Sequence, residues 1–148
     1  ISLNLEKQPY GLRFDLERID PTTYEEQRCA KKVDPDTDSD MRVCVYSVGD
    51  AVTFVEATII GLGANNTASW LIPYLATVPY EGSRPADAKD WARGALQRVR
   101  SGKPVERRIN GIFFTVFGNP PTAYTLRIYS VARDKWLIDA IAKNEQTR

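Results

Sequence analysis

The chain has 148 residues, 43% of them hydrophobic, and 20 Lys and Arg against 19 Asp and Glu give a net charge of +1. That composition suits one globular domain over 1–148 and excludes whole-chain disorder, while the charge balance supplies no global field toward nucleic acid or an anionic membrane. The absence of histidine excludes Ser-His-Asp and Cys-His catalysis and His-ligated zinc, so any catalysis must use carboxylates, Lys, Tyr or Ser.

The first predicted element is GLRFDLERID, where Leu12, Phe14 and Leu16 alternate with charged residues as in a half-buried strand that Pro21 ends. TTYEEQRCAKKV follows. Thr22 with Glu25, or Thr23 with Glu26, has the spacing of a capping box and predicts a short helix carrying Cys29. Cys29 and Cys44 are the only cysteines, too few for an all-thiolate zinc site and suited to one disulfide. Disulfides persist in oxidising compartments, so an extracytoplasmic address is expected, whether secreted, periplasmic or at the cell surface. The chain begins at Ile1 rather than Met, which agrees with a removed export signal or a lipid anchor upstream of Ile1. No apolar run reaches the roughly eighteen residues of a membrane-spanning helix.

Between the cysteines, VDPDTDSDM places Asp34, Asp36, Asp38 and Asp40 on alternate positions. A calcium loop starting at Asp34 would want Gly where Ser39 stands, a ligand where Arg42 stands and a bidentate Glu where Val45 stands. The run is therefore expected to be a solvated loop, with weak calcium binding by the four aspartates as the alternative. No other cofactor is implied.

MRVCVYSVGDAVTFVEATIIGLG predicts a hairpin of strands 42–48 and 51–60 turning at Gly49-Asp50, with β-branched residues in both arms. Glu56 interrupts its second apolar arm; a buried carboxylate there would be a candidate general acid or base, and an exposed position is the simpler expectation. Gly61 and Gly63 have the spacing of a dinucleotide-binding turn, but Asn66 stands at the third glycine position and the chain lacks room for a doubly wound sheet. Asn65-Asn66-Thr67 forms a glycosylation triplet.

NNTASWLIPYLATVPY is predicted to be helical in part, with Pro73 kinking or breaking it. Trp70, Tyr74 and Tyr80 lie in its aromatic cluster, which suits core packing or a recognition surface. SRPADAKDWARGALQRVRSGKP predicts a well-capped helix: Pro85 in the first turn, an apolar stripe of Ala88, Trp91, Ala92, Ala95, Leu96 and Val99, then Gly102 and Pro104. Arg93, Arg98, Arg100, Arg107 and Arg108 form a basic stretch around its end. A solvated face accounts for them, an acidic partner is the alternative, and the lack of exposed interleaved aromatics argues against nucleic acid.

Paired strands are predicted at 107–117 and 124–131, joined by GNPPT, with a further strand at 135–142 in preference to a helix. The expected fold is α+β, an antiparallel sheet of five to six strands with two to three helices mainly on one face. The expected function is a non-catalytic extracytoplasmic domain that binds a protein or small ligand through the Trp70–Tyr80 segment. The alternatives are a small carboxylate, Tyr or Lys enzyme, and a structural domain with weak calcium binding.

Overall fold

The computed structural model describes residues 12–78 and 84–130. They form a four-strand meander, two helices and a three-strand meander: β1 (Asp15–Ile19), β2 (Glu26–Asp34), β3 (Ser39–Val48), β4 (Ala51–Ile60), α1 (Ala64–Ala76), α2 (Pro85–Arg98), β5 (Val105–Ile109), β6 (Ile112–Asn119) and β7 (Ala123–Ser130). The strands make one seven-stranded sheet in the order β1-β2-β3-β4-β7-β6-β5. Every pairing is antiparallel, and β4 with β7 joins the two meanders at the centre.

Tight turns set this register. The β3–β4 turn is Gly49-Asp50 as predicted, with Gly49 at φ 59 where a two-residue hairpin needs a left-handed residue. Ile109 pairs with Ile112 across Asn110-Gly111, and Asn110 sits at φ 57. That turn divides the predicted 107–117 strand into β5 and β6. A second departure adds another strand: residues 26–34 form β2, not a helix. Asp20 replaces the capping box, its carboxylate accepting the Thr22 and Thr23 amides at 2.8 and 3.1 Å in a tight turn. Nine consecutive pairs with β3 then outweigh the local helical pattern. These two changes raise the strand count above the expected five to six.

β1 also differs from its reading. Leu12 is buried and Phe14 packs at the core edge, but Leu16 is 48% exposed and a bulge falls between Leu16 and Arg18. This edge strand overhangs the core rather than half-burying itself.

Alternation along the sheet separates two faces. Met41, Val43, Val55, Ala57, Ile59, Leu126, Ile128, Phe114 and Val116 are buried on one of them, together with Leu71, Ile72 and Leu75 of α1 and Ala88, Ala92 and Ala95 of α2. Trp91 lies 5.7 Å from Phe114, centroid to centroid, and anchors α2 on β6. α2 starts at Pro85 and buries the stripe its spacing predicts. α1 runs unbroken through Pro73, which is buried inside it, so the expected break does not occur. The 135–142 strand and Tyr80 lie outside the described residues.

Candidate functional site

Both helices take the same face, so the other face of the sheet carries its own side-chain pattern. Register brings Tyr46, Phe54, Tyr129 and Phe113 directly opposite one another on β3, β4, β7 and β6. Tyr46 meets Phe54 edge-on at 5.3 Å, Phe54 stacks on Tyr129 at 6.3 Å, and Tyr129 on Phe113 at 5.1 Å. Arg108 of β5 ends the row, its guanidinium 5.7 Å from the Phe113 ring centre. Cross-strand aromatic pairs of this kind contribute about 0.2–1 kcal/mol each.

The adjacent row runs Cys29, Cys44, Glu56, Arg127, Thr115, Glu106. Cys29 and Cys44 form the expected disulfide, buried between adjacent strands rather than tying a helix to a strand. Gln27 donates to the Cys29 sulfur at 3.4 Å, and Arg42 donates to Glu17 at 2.7 Å. Glu56 has a side chain 27% exposed and accepts from Arg127 Nε at 2.8 Å. Its row neighbours are Cys44 and Arg127, neither of them an acid, so the register gives it no carboxylate partner.

Beside these rows lies a groove of about 720 Å³. Glu106, Thr115 and Arg127 line it, Phe117 and Tyr129 give aromatic surface, and the turn 102–104 forms a wall with Lys103. Arg127 stacks over Phe117 at 4.8 Å from the ring centre. Among these groove residues Thr115, Arg127 and Tyr129 have no site reading in the sequence. The signal was present as the alternating polar and aromatic positions 113, 115, 117 and 125, 127, 129, which only strand register assembles into one surface.

The other predicted residues lie elsewhere. Trp70 and Tyr74 are one helical turn apart on α1, Trp70 at 39% exposure and Tyr74 against the core. The basic stretch is divided: Arg108 faces the aromatic row, and Arg107, paired with Phe114, takes the helical face. Arg93 and Arg98 are on α2. Arg100 caps that helix by donating to the carbonyls of Gln97 and Val99 at 2.9 and 2.7 Å.

The acidic run forms the β2–β3 hairpin tip, flanked by two strands. Asp34 accepts the Asp36 and Thr37 amides at 3.0 and 3.3 Å. Its carboxyl is held below the usual carboxylate value by the Thr37 side chain first and then by these amides. Among the described residues no three His, Cys, Asp or Glu side chains converge as a metal site. Gly61 and Gly63 serve this tip, with Gly63 N–H donating to the Asp38 carbonyl at 3.0 Å. In the glycosylation triplet, Asn65 accepts from the Tyr124 hydroxyl at 3.0 Å, and Thr67 is buried against Ser39 at 2.6 Å.

Comparison with protein-family models, curated proteins and solved structures finds no match to this chain. No described helix is long and apolar enough to cross a membrane.

Proposed function

We propose that this chain is a non-catalytic binding domain of an oxidising, extracytoplasmic compartment, and that it recognises a ligand on the sheet face opposite its helices. The observation that carries the reading is the groove beside the aromatic row, where aromatic surface and a few polar groups of both charges meet in one concavity. Binding sites combine those features. The disulfide supports the address, since such bonds persist where thiols are oxidised.

The test is a fragment screen read by backbone-amide chemical shifts. Perturbations are expected at Thr115, Phe117, Arg127 and Tyr129. Hits confined to the helical side overturn the proposal, as does the absence of hits. Trapping thiols in intact source cells with an alkylating agent tests the address, and reduced Cys29 and Cys44 would remove it.

A second reading keeps recognition at α1, favoured by the exposure of Trp70. Shifts clustering at Trp70 and Tyr74 in the same screen would select it.

A further inference from the structure

Resting on that reading, we infer that the groove is a receptor for a small monocarboxylate with an apolar or aromatic body, and that Arg127 is its anchor. Arg127 is fixed at two points: Nε donates to Glu56 at 2.8 Å, and the guanidinium lies over Phe117 at 4.8 Å. These contacts hold the plane of the group and leave its two terminal nitrogens without a hydrogen bond or ion pair among the described residues. The result is a pre-oriented fork with the spacing of a carboxylate, on a side chain 48% exposed. Glu56 holds the fork in place and is a positioning residue.

The surroundings narrow the class. Lys103 adds a second cation to the groove, and Tyr129 and Phe117 give an apolar body a surface to contact. Glu106 disfavours a dianion. It follows Thr115 in the same row, so its Cα lies about 10 Å from that of Arg127 at the ordinary strand spacing. A donor on the ligand, such as an ammonium group, can therefore face Glu106 while the carboxylate meets Arg127. Complementary charge at the two ends gives the ligand one orientation.

Calorimetric titration with phenylalanine, phenylacetate, phenethylamine and inorganic phosphate separates the contributions. Phenylalanine and phenylacetate are expected to bind at millimolar concentration or better, and phenethylamine and phosphate at least tenfold more weakly. Arg127→Lys keeps the charge and loses the fork, and is expected to weaken both carboxylates at least fivefold with the melting temperature retained. Glu106→Gln is expected to weaken phenylalanine and leave phenylacetate unchanged, a readout that does not depend on the Arg127 variant folding. The inference is overturned if phenethylamine or phosphate binds as well as phenylacetate, if neither carboxylate binds, or if the fold-intact Arg127→Lys protein binds normally. Neutral fragments that perturb the groove while carboxylates do not would sink this inference and leave the binding-face proposal standing.

Discussion

Gly63 and Thr37 approach so closely that a Cβ on Gly63 would lie 1.3 Å from the Thr37 carbonyl oxygen. Gly61 is in the same position, with a Cβ site 2.2 Å from the Asp38 carbonyl and φ at 135. The acidic hairpin tip is thus docked by its backbone on the turn that starts α1. That helix has no acidic residue in its first turn and no side-chain cap. The docked tip brings the acidic segment to the positive end of the helix dipole, where negative charge is favoured.

Gly63→Ala should therefore cost about 2–3 kcal/mol, because the clash is with backbone that cannot rotate away. Gly49→Ala is the contrast: Gly49 has a positive φ where Gly63 is at φ -94, and nothing lies within 4 Å of its Cβ site. It should cost about 1 kcal/mol from conformation alone. Urea unfolding of the two variants checks the difference, and equal losses would mean that the tip does not hold α1.

The contrast between these glycines shows where sequence legibility ended. Gly49-Asp50 was readable because a hairpin turn is local. The α2 stripe from Ala88 to Val99 was readable for the same reason, since one period of 3.6 accounts for it. Gly61 and Gly63 are legible as a turn leaving the hairpin rather than a dinucleotide site, but their close partners, carbonyls some two dozen positions away, are not. Residues 22–26 carry helix-start chemistry, yet β3 and the disulfide supply residues 26–34 with a long-range partner no local signal encodes. The groove was illegible because Glu106, Thr115 and Arg127 become neighbours only through strand order.

Reducing Cys29–Cys44 should lower stability without changing the fold. The bridge spans 15 residues of sequence, worth about 3 kcal/mol in the chain-entropy account. Nine β2–β3 pairs remain to keep the hairpin in register. Urea unfolding with and without reductant should move the midpoint, while the amide spectrum in native buffer keeps its sheet pattern. Collapse of that spectrum on reduction would show that the bridge specifies the register instead of reinforcing it.

Trp91→Ala should be the most damaging single change on α2, costing about 3–5 kcal/mol as a buried aromatic truncation. Trp91 fills the contact between α2 and Phe114 of β6, and the rest of the buried α2 face is largely alanine. Leu96→Ala, at a partly buried position of the same helix, should cost less than half as much. Thermal melts of the pair test whether α2 is held mainly by that one ring.

Acid should destabilise the protein through its turns. Asp34 is held below its ordinary value by Thr37 and the tip amides, and Asp20 by the amides of Thr22 and Thr23. A depressed folded-state pKa means that the unfolded chain binds more protons, so this stability is present above about pH 4 and is lost as pH falls through the folded values. Asp34→Asn and Asp20→Asn should each flatten the decline in melting temperature below pH 4. Asp36→Asn, at a carboxylate that holds no turn amide, serves as the control.

Alkali should act through Tyr124 in the opposite direction. Burial pushes its hydroxyl above the usual tyrosine value, with a smaller opposing effect from Arg100, and that hydroxyl donates to Asn65 at the start of α1. A raised folded-state pKa favours the protonated form, so its contribution is complete below about pH 10 and disappears as pH rises through the folded value. Tyr124→Phe should lose about 1 kcal/mol at neutral pH from the missing hydrogen bond. The gap between variant and parent should then narrow at high pH, because only the parent has a proton to lose there. A gap that stays constant would place the hydroxyl in water rather than against the helix, and the link between β7 and α1 would rest on packing alone.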